Sequence, residues 1–139
     1  MSSSNILPLI REATRINRDR LQHALSITAK TASYTITIAD YSKVFTTRGA
    51  TGAVTFTLPA ASNSNKGEWV LFISVADQNM IVAGADEGLL VFNDLTADSI
   101  AYQTGSEKIA GAFVALSDGT SWAVLPVASE TQTITVTSA

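Results

Sequence analysis

Tyr34-Thr-Ile-Thr-Ile-Ala-Asp-Tyr-Ser-Lys-Val-Phe45, followed by Gly49-Ala-Thr-Gly-Ala-Val-Thr-Phe-Thr-Leu-Pro59, decides the fold class. Tyr34, Ile36 and Ile38 alternate with Thr35 and Thr37, and Val54, Phe56 and Leu58 alternate with Thr55 and Thr57. A period of two sends successive side chains to opposite faces, so each segment reads as a strand with one apolar and one threonine face. β-Branched and aromatic residues suit that pleated surface. Pro59 ends the run, because it has no N–H for a ladder.

Outward from this stretch the pattern repeats. Strands are expected near residues 33–38, 43–47, 53–58, 68–75, 79–83, 88–93, 99–103, 110–116, 121–126 and 131–137. Short strands with turn residues between them predict a mainly β fold: an antiparallel β-sandwich, jelly-roll-like, or a barrel. Trp69-Val-Leu-Phe-Ile73 and Ala112-Phe-Val-Ala-Leu116 are apolar at every position, which places them at the centre of the core or in an interface. Asp118-Gly119 reads as a hairpin turn whose two positions both tolerate positive φ. In the tail, Ile134 and Val136 alternate with threonines. A lone terminal strand is unstable, so this one adds to its own sheet or pairs with a neighbouring chain. Ile134 and Val136 are the candidate oligomer-interface residues.

Residues 6–25 have a different period. Ile6, Ile10, Ala13, Ile16 or Asn17, Leu21, Ala24 and Leu25 recur at steps of three and four, predicting an amphipathic N-terminal α-helix. Pro8 is tolerated in its first turn. Arg11, Glu12, Arg15, Arg18, Asp19 and Gln22 fill the other face. Such a helix lies on the β body, bundles with copies of itself or docks on a partner. Three parts are therefore expected: a helical attachment or oligomerisation segment over residues 1–30, a β domain over 31–126, and a C-terminal strand or arm over 127–139.

A chain of 139 residues suits one domain. The absence of cysteine excludes disulfides, Cys-based zinc sites and thiol chemistry. No apolar run is long enough for a membrane span, and Met-Ser-Ser-Ser-Asn does not open like a signal peptide. The expectation is synthesis in the cytoplasm and no membrane partner. Charge divides unevenly. Residues 1–30 carry five basic and two acidic side chains, whereas residues 31–139 carry four basic and ten acidic. A basic leader on an acidic body suits contact with something acidic, or is an ordinary solvated helix face. Four arginines without interleaved aromatics do not argue for nucleic acid.

The chemistry-bearing residues form no catalytic pattern. His23, the single histidine, falls late in the helical stretch, away from any serine–carboxylate pair. Asp77, Asp86, Glu87, Asp94, Asp98 and Asp118 sit between strands, where carboxylates set turn geometry. Glycines at 49, 52, 84 and 88 match no phosphate-binding loop. Trp69 and Trp122 lie inside apolar runs and read as core residues rather than sugar platforms. No catalytic residue, cofactor or metal is expected, and the chain does not read as an enzyme.

The Tyr34–Asp40 and Gly49–Pro59 segments, together with Leu116-Ser-Asp-Gly-Thr-Ser-Trp-Ala-Val-Leu125, resemble a β module of tailed-bacteriophage virion proteins. In that pattern a Tyr-Thr-hydrophobic-Thr strand leads to Asp and often Gly. A Gly-Ala strand ending Thr-Leu-Pro follows, and a final hairpin closes the module. Ser42 departs from the pattern where glycine is common. The likeness spans about residues 31–126. It implies a homotrimeric virion structural protein of the capsid-decoration, head-fibre or tail-fibre type, with the major capsid protein as partner. The short chain favours a decoration, or cement, protein on the capsid surface. The alternative is a fibre domain that binds a receptor or glycan, with Tyr41 and Tyr102 as loop-adjacent candidates. In the decoration reading Ile6, Ile10, Arg11, Arg15 and Arg18 bind the capsid, and the apolar strands build the trimer.

Overall fold

In the computed structural model the chain alternates between two sheets through its first six strands. These are β1 (Ser26–Ala29), β2 (Tyr34–Thr35), β3 (Lys43–Thr46), β4 (Val54–Thr57), β5 (Trp69–Ile73) and β6 (Met80–Ala83). The odd-numbered strands pair parallel in one sheet and the even-numbered strands pair parallel in the other. Each circuit returns the chain in its original direction beside the strand laid down two elements earlier. Tyr34 therefore pairs with Phe56, and Phe45 with Phe72. The structure describes residue 11 and residues 25–103, 108–128 and 132–138.

The remaining strands are β7 (Leu89–Val91), β8 (Asp94–Ala97), β9 (Ser99–Tyr102), β10 (Ala112–Ser117), β11 (Trp122–Val127) and β12 (Ile134–Thr137). They join mostly antiparallel, with β7 and β11 running parallel. The finished sheets have the orders β1-β3-β5-β10-β11-β7-β8 and β12-β9-β6-β4-β2. Both sheets are mixed, and neither closes into a barrel among the described residues. The expected mainly β class stands, while the all-antiparallel pairing and the barrel are corrected. Chain crossing to the opposite sheet between paired strands gives parallel neighbours, which tight hairpins do not.

One apolar cluster joins the sheets. Phe45 and Phe72 from the larger sheet meet Phe56 from the smaller, with ring centroids 5.9 and 4.7 Å from Phe56. Tyr102 stacks on Phe113 at 4.5 Å. Val54, Met80, Val82, Ile100, Ala115, Trp122 and Val124 complete the contact between layers. Alternation places each of these inward and its strand neighbours outward.

Several expectations change in detail. Ile38 ends no strand, because Ile38–Asp40 forms a 3-10 turn. The β10–β11 connection is a four-residue loop in which Gly119 alone has positive φ. The stretch read as one strand over 88–93 ends at Val91, and Phe92-Asn93 turns it into β8. Strand β1 lies within the segment assigned to the leader, so pairing begins at Ser26. The predicted helix lies outside the described residues except for Arg11 and Leu25, both exposed. Among the described residues no helix is long and apolar enough to cross a membrane.

Candidate functional site

The outer face of the seven-stranded sheet is apolar across its central strands. Val70 and Phe72 of β5 are core residues, so Trp69, Leu71 and Ile73 point the other way. By the same alternation Val114 and Leu116 of β10, Ala123, Leu125 and Val127 of β11, and Leu90 of β7 point outward. Register aligns them into rows. Ile27, Val44, Leu71, Val114 and Leu125 form one, and Trp69, Leu116, Ala123 and Leu90 form the next. A third row runs Thr46, Ile73, Ala112 and Val127. No charged residue occupies these rows. Ile27, Leu116, Leu125 and Val127 keep 65%, 42%, 56% and 59% of their surface exposed. Val44 is buried and Trp69, Leu71, Ile73, Leu90 and Val114 are half-buried, so the exposure is concentrated at Ile27, Leu116, Leu125 and Val127. Exposed apolar side chains grouped on one face mark an interaction site.

At the Val127 end of this face a cleft of about 330 Å³ is lined by Ile109, Ala110, Val127, Ala128 and Gln132. Beside it Lys108 is buried, its Nζ 3.7 Å from Asp77 Oδ1. Near the sheet edge the β7–β8 turn holds Phe92 and Asn93 at φ 47° and 68°. Phe92 is 61% exposed, and Leu95 beside it is 69% exposed. A bulky residue in the left-handed region is strained, and such strain gathers at functional positions. Asn93, absorbed into the strand expected over 88–93, is the residue whose type could have signalled this turn, because asparagine accepts positive φ. Nothing in the residue pattern marks Phe92.

Polar groups inside the fold are structural. Asp40 Oδ2 accepts from Thr37 N (2.8 Å), Tyr34 Oη (2.9 Å) and Thr37 Oγ1 (3.1 Å). Burial pushes the Asp40 carboxyl up, but those donors and the Lys43 charge outweigh it and hold it below its usual value. The same hydrogen bond raises the Tyr34 phenol. Asn65 is buried in the β4–β5 connection. It accepts from Ser62 N (2.9 Å) and Ser117 Oγ (2.8 Å) and donates to the Ala60 carbonyl (2.9 Å). Trp122 Nε1 donates to the Pro59 carbonyl at 2.7 Å.

The carboxylates singled out from sequence do not converge. Asp118 Oδ1 accepts from the backbone N–H of Ser121 (2.7 Å) and Thr120 (2.8 Å), which lowers its carboxyl. Asp94 Oδ1 accepts from Thr96 N at 2.9 Å. Among the described residues no three His, Asp or Glu side chains gather as a metal site would require. Ile6, Ile10, Arg15, Arg18 and His23 lie outside the described residues. Ile134 and Val136 are half-buried and face the core of their own chain, where β12 pairs with β9. The tail thus has a local partner that its sequence did not reveal. Tyr102 is fully buried and Tyr41 half-buried against Trp122, so neither is presented to a ligand. Compared with protein-family models and with curated proteins, the chain matches none.

Proposed function

We propose that this chain is a structural protein of a tailed-phage virion, a homotrimeric decoration protein whose two sheets form a β-sandwich. The observation that carries the reading is the Trp122–Pro59 hydrogen bond of 2.7 Å. It joins the two separated stretches that resemble the virion module, the Thr-Leu-Pro strand end and the final hairpin. Tyr34 and Asp40, which open that pattern, are joined in the same way. Residues that carry the resemblance are thus among those that tie this fold together.

In this reading the protein has no catalytic task. It stands on the capsid surface, and the leader, through Arg11, Arg15 and Arg18 with Ile6 and Ile10, contacts the major capsid protein. Copies meet along the free edge of β12, whose Ile134 and Val136 set that edge by packing inward. The fibre reading has less support, since Tyr41 and Tyr102 are taken up by the core. Cryo-electron microscopy of virions tests the proposal: three copies grouped on the head shell are expected. Density on the tail favours the fibre reading, and a monomer by sedimentation at micromolar concentration ends the trimer.

A further inference from the structure

The uncharged outer face of the seven-stranded sheet and the N-terminal stripe answer one another. We infer that the leader of the same chain covers this face, its apolar side on the sheet and its arginines outward. The inference does not depend on the virion reading; where both hold, Ile6 and Ile10 face the sheet and the capsid contact falls to Arg11, Arg15 and Arg18 alone.

Position comes first. Strand β1 is the edge of this sheet, and its outward Ile27 begins the row that continues through Val44, Leu71, Val114 and Leu125. The 24 residues before Leu25 therefore join the sheet at the rim of the exposed face. Leu25 is not helical, so the helix expected over 6–25 ends before it. A helix ending at Leu21 leaves residues 22–25 as its connection to β1, within the usual length. A chain entering β1 at Ser26 enters level with the Trp69–Leu116 end. A helix folded back over the sheet then runs antiparallel to β1.

Length agrees. Ile10 to Leu21 spans roughly 16 Å at 1.5 Å per helical residue. Trp69 to Ile73 spans roughly 13 Å at about 3.3 Å per strand residue. Leu21 then lies over Trp69 and Leu116, and Ile10 over Ile73 and Val127. Charge agrees as well. The face presents no like charge to a leader with five basic and two acidic residues through Lys30, and the remaining chain is acidic. Arg11, next to the stripe position Ile10, is exposed. A covered face also explains why β5 and β10 are apolar on both sides.

Trp69 is a native reporter, since it is half-buried on this face while Trp122 is sealed in the core. The experiment is acrylamide quenching of the full chain. Weak quenching is expected, rising several-fold in an Ile10→Asp, Leu21→Asp double variant and unchanged in Arg15→Asp. The chain has no cysteine, so an Ile10→Cys, Ile73→Cys pair gives a second readout. A disulfide within one chain, at every protein concentration, is expected. Free quenching in the unaltered chain, or protection indifferent to the stripe variant, overturns the inference. Protection lost on dilution, or a disulfide only between chains, assigns the face to a second copy instead. That outcome leaves the trimer proposal standing.

Discussion

Asp40 shows how one side chain can close a local structure. Its Oδ2 gathers a backbone N–H and two hydroxyls, and the residue is 6% exposed. Asp40→Ala leaves Thr37 N–H and Tyr34 O–H without that acceptor, at a cost of about 2 kcal/mol. The pH dependence follows from the sign of the shift. The folded carboxyl ionises below its ordinary 3.8, so its stabilisation is complete above that value and is lost as pH falls through the depressed one. Urea midpoints of the parent and Asp40→Ala chains should differ at pH 7 and draw together as pH falls through the depressed value. Parallel midpoints across that range would remove Asp40 from the acid response.

Gly111 matters for a different reason. A Cβ there falls 2.7 Å from the Tyr102 ring, which is buried and stacked on Phe113. The Tyr102 hydroxyl lies 3.0 Å from the Ala112 carbonyl and 2.8 Å from that of Val127, the paired residues where β10 begins and β11 ends. One proton shared between them ties the smaller sheet to the larger. Gly111→Ala should cost about 1–3 kcal/mol through overpacking. Thermal melts of that variant and of Tyr102→Phe measure the two contributions. Gly111→Ala at parental stability would show that the ring yields. Ser42, at φ 61°, holds a left-handed position that glycine would adopt without strain.

At the scale of elements, β12 separates self-packing from assembly. Ile134 and Val136 face the core from an edge strand, half-buried. Val136→Asp should destabilise the chain by roughly 2 kcal/mol, because a charge enters that contact. A lowered urea midpoint is the expected result. Unchanged stability with lost self-association would move these side chains to the interface between copies. Strand existence was legible in the Thr–Ile–Thr and Val–Thr–Phe alternations, since period two is a local property. Pairing direction was not. Whether Tyr34 meets Phe56 in parallel or antiparallel fashion depends on what the chain does between them, and the 3-10 turn and β3 use that interval to change sheets. β1 and β8 went unread because four residues at a helix-like boundary, or past a turn without glycine, give little periodicity.

At the scale of the molecule, the two-sided apolar strands were legible as core or interface, and the structure puts one side of each in the core and the other on the outer face of the sheet. Phe72 and Phe113 face the core while Leu71 and Val114 face out. The candidate site was less legible, because a face is assembled from four or five strands whose order no local pattern records. Residue-level function depended on reach: Asn65 meets Ser117 and Trp122 meets Pro59 across more than fifty residues.

The alternate winding of β1 to β6 also bears on how the chain is made. Synthesis releases the N-terminal half first, at about 5–20 residues per second. Each new strand of that half then finds its neighbour already in place. The larger sheet is different at its middle, because β5 receives β10 only after some forty more residues have emerged. Through that interval the ribosome-bound chain offers Trp69–Ile73 as an open, wholly apolar edge. An edge of that kind is a template for pairing with another chain, and the arrival of Ala112–Ser117 covers it.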